Sequence, residues 1–173
     1  MNCVLNVVLG GLGGQGVVTA SDILADAAFE AGFDVKKSDL HGMAQRGGSV
    51  SSDVRFGDRI HSPMIPAGEA DYLVVFDESR IGDFGHRLKD AGTIISPSWL
   101  GSFKLENTKL LNVALLALVA DRLGLAPKHF EVALRRRLKP THYEASLRTF
   151  EQVLTASHST ISKPQLQSHE LLQ

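Results

Sequence analysis

Two short clusters in this chain hold residue types whose spacing can do chemistry. The first is Gly10-Gly11-Leu12-Gly13-Gly14-Gln15-Gly16, with the G-x-G-x-x-G spacing at Gly11, Gly13 and Gly16. Glycines between a strand and a helix permit positive φ and close backbone approach. The helix N-terminus behind them offers unpaired N–H groups and a partial positive charge, which makes a cradle for a phosphate or another anion. The same glycines also suit plain close packing of strand on helix, so the spacing alone leaves both uses open. Against a dinucleotide in particular stand the extra glycine and Gln15 inside the loop. No acidic residue falls cleanly at the ribose position either; Asp39 is the nearest.

The second cluster is His41-Gly42-Met43-Ala44-Gln45-Arg46-Gly47-Gly48. It falls in the loop after a second strand, which in an α/β sheet neighbours the glycine loop at the carboxyl edge, so the two clusters are expected to meet. Arg46 brings a fork of donors suited to a carboxylate, a phosphate or a facing acid, or simply to exposed loop carbonyls. No Gly-x-Ser-x-Gly elbow and no His/Cys cluster of metal-ligand spacing occurs, so the sequence offers no self-sufficient catalytic centre. Asp77 and Glu78 follow an apolar run and belong at the same edge, where acids at a helix start are equally at home. The basic run Arg135-Arg136-Arg137-Leu138-Lys139 suits a helix C-terminus, or an acidic partner.

The elements that must position these clusters can be read from periodicity. Residues 4–9 are a short apolar run that stops at glycine, as a strand covered on both faces does. From Val17 to Ala31, apolar residues recur every three or four positions and Gly32 ends the segment, which predicts a helix. Residues 33–40 offer a second strand. In residues 49–56, Val50, Val54 and Phe56 alternate with Ser51, Asp53 and Arg55, which predicts a strand with one covered and one wet face. A turn at Gly57-Asp58 predicts an antiparallel hairpin over residues 49–62. Further expected are a strand at 71–76, a helix at 79–90 and a short strand at 93–96 closed by Pro97. Beyond residue 106 the pattern is helical only. A buried helix at 109–123 is capped by Gly124. One starting at Pro127 stops before Pro140, and a third opens on the capping-box spacing of Thr141 to Glu144. The expected architecture is a Rossmann-like α/β three-layer sandwich with a mixed, mostly parallel sheet and a helical C-terminal part. It occupies residues 1–156 as one domain, with 157–173 a polar tail.

Composition fits one such domain: 173 residues, 43% hydrophobic and 21% charged. With 18 Lys and Arg against 19 Asp and Glu, no net field draws the chain to nucleic acid or an anionic membrane. The single cysteine, Cys3, can neither pair internally nor supply the four thiolates of an iron–sulfur cluster, and reads as a small apolar strand residue. The N-terminus lacks the pattern of a signal peptide, and the apolar run from Leu110 to Ala120, broken by Asn112, is short of the ~20 residues of a membrane span. A cytoplasmic location is therefore expected.

The stretches GGLGGQGVVTASDILADAA, HGMAQRGGSVSSDVRFG and SPMIPAGEADYLVVFDESR, taken in this order, resemble the gamma-type small subunits of 2-oxoacid:ferredoxin oxidoreductases, most of all the indolepyruvate branch, where the subunit is called beta. The resemblance covers roughly residues 3–155. It implies a complex that oxidatively decarboxylates a 2-oxoacid to an acyl-coenzyme A and passes single electrons to ferredoxin. Thiamine diphosphate and iron–sulfur clusters would be held by other subunits, and no cofactor by this chain alone. By the same resemblance Gly11, Gly13, Gly14, Gln15 and Gly16 would form an anion-facing loop. His41, Gln45, Arg46, Gly47 and Gly48 would line a subunit contact or the substrate side of the site. A stand-alone nicotinamide- or flavin-binding enzyme and a non-enzymatic binding module are the alternatives to that reading.

Overall fold

The computed structural model describes residues 4–41 and 48–159. In chain order they form β1 (Val4–Leu12), α1 (Val17–Glu30), β2 (Asp34–His41), β3 (Ser49–Gly57), β4 (Ala70–Val75), α2 (Ile81–Phe84), β5 (Leu88–Ile95), α3 (Leu111–Leu123), α4 (Pro127–Arg137) and α5 (Pro140–Ser159). Short 3-10 turns flank α2 and precede α3. The five strands make one sheet in the order β2-β3-β1-β4-β5. β1 pairs with β4, and β4 with β5, in parallel, whereas β3 is antiparallel to both β1 and β2. Four strands therefore run one way and only β3 runs against them, as expected of a mixed α/β sheet.

Helices α1 and α3 cover one face, with α4 and α5 packed against them, burying Val7, Leu9, Val54, Phe56, Val74 and Ile95 in the main core. α1 ends as its glycine predicts, with Gly32 at φ +92° and its N–H donated back to the Phe29 carbonyl. Gly124 caps α3 in the same left-handed conformation. The third layer is thin. Val8, Leu73 and Val75 on the other face are covered by Ile65 from the 58–69 segment and by Phe84 of α2.

Four local expectations are corrected. The hairpin over 49–62 does not form, because both edges of β3 are already taken: Gly57 pairs with Val4 of β1 and with Asp34 of β2. A strand at 59–61 has no free ladder to join. Side chains hold that segment instead: the Ile60 N–H donates to Asp34, Arg55 donates to the Ser62 and Met64 carbonyls, and the Ile65 N–H donates to Asp53. The expected wet face of β3 is dry because this segment and Arg87 cover it, with Asp53 fully buried and Ser51 nearly so. The helix expected at 79–90 is a broken series of turns, and β5 begins already at Leu88. Gly82 and Gly85 fall within ten residues, each costing about 1 kcal/mol against alanine in a helix. Finally, α5 starts at Pro140 rather than after it, with proline at its permissive first position, and runs to Ser159, past the expected boundary at residue 156. Residues 160–173 lie outside the described residues.

Two arginines of the basic run at the end of α4 are engaged internally. Arg137 makes a two-point contact with Asp26, at 2.6 and 2.8 Å, and Arg136 donates to Glu30 at 2.6 Å. Asp22, Asp26 and Glu30 lie at four-residue intervals along α1, so one acidic stripe faces one basic helix end. These side chains are partly exposed. Arg137→Ala is expected to cost about 0.5–1 kcal/mol in urea unfolding, and the loss should shrink in 1 M salt. An effect independent of salt would show that the stem of the arginine, rather than its charge, makes the contact.

Candidate functional site

The first glycine cluster divides into two halves with different tasks. β1 extends through Leu12, so Gly10 and Gly11 are strand residues. Each permits a close approach: a methyl group at Gly10 would stand 2.6 Å from the Phe84 ring, and one at Gly11 would stand 2.6 Å from Gln15 Oε1. Gly13 and Gly14, by contrast, are exposed. Gly14 has φ +94° and Gly16, the N-cap of α1, φ +83°, both left-handed conformations that favour glycine. Gln15 fastens the turn: its Oε1 accepts from the Leu12 N–H at 2.7 Å, and its own N–H donates to the Leu12 carbonyl at 3.1 Å.

Beside this turn lies a cleft of about 460 Å³ lined by Leu12, Gly13, Gly14, Gly16, Val17, Val18, Thr19 and Val50. Gly16 supplies no side-chain cap, so the first-turn N–H groups of α1 are left to whatever enters. The lining contains no lysine or arginine among the described residues. What the arrangement can do is bind one anionic group through backbone donors and the helix dipole.

The two sequence clusters do meet. The Gly13 N–H donates to the Gly48 carbonyl at 3.0 Å, and His41 closes β2 opposite Val50, a cleft residue. Gln45, Arg46 and Gly47 lie outside the described residues. Asp39 is not brought to the loop. β3 is inserted between β2 and β1, which sets Asp39 two strand spacings, roughly 10 Å, from β1. Its carboxylate is engaged by Ser52 at 2.5 Å and Lys37 at 2.9 Å. A dinucleotide ribose therefore has no acidic partner from this strand.

Asp77 and Glu78 have structural duties at the same edge. Hydrogen bonds from the Ser79 hydroxyl and N–H hold the Asp77 carboxyl below its usual value. Burial pushes Glu78 up, but hydrogen bonds from Ser98 and Ser96 outweigh it and hold the group below the ordinary glutamate value. Glu78 thus ties the end of β4 to the end of β5. Sequence reasoning did not connect Ser96 and Ser98 with it, since 18 and 20 residues separate them. Nor did it connect Asn112, whose Nδ2 lies 2.7 Å from the position of a methyl group on Gly16. The signal for Asn112 was its place as the one polar interruption of an apolar run.

Residues 6–102 match the family model described as pyruvate ferredoxin/flavodoxin oxidoreductase. The chain belongs to this family. The matched span runs from β1 through the turn after β5, and so holds both clusters, whereas α3, α4 and α5 lie beyond it. Within the pyruvate ferredoxin/flavodoxin oxidoreductase family, the chain is 41% identical over 91 residues to the indolepyruvate oxidoreductase subunit IorB of Pyrococcus horikoshii, covering 53% of this chain and 45% of that one. It is 34% identical over 116 residues to the pyruvate synthase subunit PorC of Methanothermobacter marburgensis, covering 66% and 65%. The match thus spans about half the length of the indolepyruvate relative. Among solved structures, the gamma subunit of a keto/oxoacid ferredoxin oxidoreductase from Geobacter sulfurreducens shares the fold, with a TM-score of 0.74 at 19% identity over 90% of this chain and 99% of that one. So does the 2-oxoglutarate:ferredoxin oxidoreductase of Magnetococcus marinus, solved with 2-oxoglutarate, coenzyme A and succinyl-CoA bound. Its TM-score is 0.77 at 14% identity, over 93% of this chain and 32% of that one. No helix among the described residues is long and apolar enough to cross a membrane.

Proposed function

We propose that this chain is the small subunit of a thiamine diphosphate-dependent 2-oxoacid:ferredoxin oxidoreductase, working in the cytoplasm and active only in company. The observation that carries the reading is the hydrogen bond from Gly13 to Gly48, which brings the two clusters to one cleft at the carboxyl edge of the sheet. The complex would convert a 2-oxoacid such as indolepyruvate, with coenzyme A, into carbon dioxide and an acyl-CoA, and pass the two electrons singly to ferredoxin. Thiamine diphosphate and the iron–sulfur clusters belong to partner subunits. The reading agrees with the single cysteine of this sequence, since such clusters typically use four thiolates.

In this reading the exposed Gly13 and Gly14, with Gly16 and the first turn of α1, face an anionic group of the 2-oxoacid or of coenzyme A. Gly11 and Gln15 hold the loop in shape from behind. His41, Gln45, Arg46, Gly47 and Gly48 would line the subunit contact or the substrate side of the site. The chain contributes backbone donors and closure of the site, and moves no proton or electron itself.

The test is mild affinity purification from the native cells, followed by viologen reduction with indolepyruvate, pyruvate and 2-oxoglutarate. A brown, thiamine-containing complex that reduces viologen is the expected result, and the best substrate then names the branch. Arg46→Ala in that complex should weaken assembly or lower turnover about tenfold or more, as loss of a charge-assisted contact does. A colourless, partnerless protein would sink the subunit reading.

A further inference from the structure

We infer that Asn112 is a positioning residue for the glycine loop, supplied by a part of the chain outside the family-matched span. The inference rests on the proposed role of that loop. Asn112 stands in the first turn of α3, directly ahead of a buried apolar stretch from Val113 to Ala120, so its backbone is anchored in the core. Its carboxamide is oriented, because Oδ1 accepts from the Val113 N–H at 2.9 Å. That leaves Nδ2 turned to Gly16: a methyl group there would lie 2.7 Å from Nδ2 and 3.3 Å from the amide carbon. Asn112 is not among the residues lining the cleft, so it backs the N-cap of α1 without entering the cleft.

The consequence is a brace with a defined shape and polarity. Gly16, at φ +83°, is the hinge between the exposed turn and α1. The brace fixes how far it can shift toward α3. Because the group behind Gly16 is a neutral amide that turns its N–H side forward, it places no negative charge against the helix N-terminus. The loop is thus held ready for an anion by a side chain that does not touch it. Pre-organisation of this kind is read in KM for the bound group, with kcat little changed.

The experiment uses the assembled complex, with coenzyme A and the 2-oxoacid varied separately to distinguish the two sources of the anionic group. Asn112→Ala should raise the KM of one of them about fivefold, with kcat within about twofold of wild type. Asn112→Asp keeps the shape, and an acid at the start of α3 suits the helix dipole. It should therefore leave the Tm unchanged or higher while still raising that KM. A purely structural role would move Tm and KM together. If the alanine variant fails to assemble, the aspartate variant decides. Wild-type KM values for both substrates in the variants that assemble overturn the inference.

A second measurement needs no turnover. Gly16→Ala should lower Tm by about 6 °C or more, from its backbone conformation and its contact with Asn112. In Gly16→Ala/Asn112→Gly the shift should be smaller than the sum of the two single shifts, because the contact is gone. Strict additivity overturns the brace. Should the wild-type complex lack 2-oxoacid-dependent turnover, the functional reading fails and this cycle alone decides the role of Asn112.

Discussion

Asp53→Ala is expected to destabilise the protein by about 3–5 kcal/mol, measured as a fall in the urea midpoint without a change in slope. Asp53 is fully buried. Its carboxylate accepts from Arg87 Nη2 at 2.8 and 2.9 Å and from the Ile65 N–H at 2.8 Å, while the same Nη2 donates to the Ile65 carbonyl at 2.9 Å. Alanine strands a guanidinium whose side chain is only 12% exposed, together with a buried amide. The loss therefore reflects unpaired polar groups more than any net gain from the ion pair, which an apolar pair can match. The double variant Asp53→Leu/Arg87→Met is accordingly expected to recover much of the stability. A loss below 1 kcal/mol for Asp53→Ala would mean that water reaches Arg87 when the thin layer over this face loosens.

Phe130→Ala should cost a comparable amount, about 3–5 kcal/mol, as the cavity left by a fully buried ring. Phe130 of α4 stacks on Phe150 of α5, with ring centroids 5.1 Å apart and planes at 27°. Both rings belong to the same core as Val7, Leu9 and Ile95 of the sheet. We therefore propose that the C-terminal helices fold as one unit with the strands, and that the variant shifts a single cooperative transition detected alike by helix signal and Trp99 fluorescence. Two separated transitions would instead make α3–α5 an independent unit.

How much of this was legible in the sequence varies from element to element, for physical reasons. Helices α1, α3 and α4 are marked by local chemistry, namely apolar period, a glycine C-cap or an N1 proline, and appear within a residue or two of expectation. The failures with a long-range cause involve β3. Its alternating pattern describes a strand with one open face, yet which strands flank it is a long-range fact. Pairing to β1 spans more than 35 residues, and no local signal reports that both edges are filled or that Arg87 will arrive to neutralise Asp53. At the site, the glycines pointed to a turn before a helix. Their division into packing glycines, Gly10 and Gly11, and exposed ones, Gly13 and Gly14, depends on Phe84, Phe76 and Gln15 and emerges only from the fold. Asp22, Asp26 and Glu30 stand at helical spacing, but their match to Arg136 and Arg137 depends on how α1 and α4 lie together.

The sheet order leaves two outer strands, and each is unsuited to receiving another. β2 carries Lys36 and Lys37, the latter held by Asp22 and Asp39. β5 breaks its own ladder: a two-residue step in β4, from Ala70 to Tyr72, faces a five-residue step in β5, from Leu88 to Thr93. Lysines and an irregular backbone are the devices by which sheets refuse strand addition. Self-association by edge-to-edge growth is thereby discouraged at both margins. In the proposed complex, edges guarded in this way would direct contacts with other subunits to loops and side chains rather than to extension of the sheet.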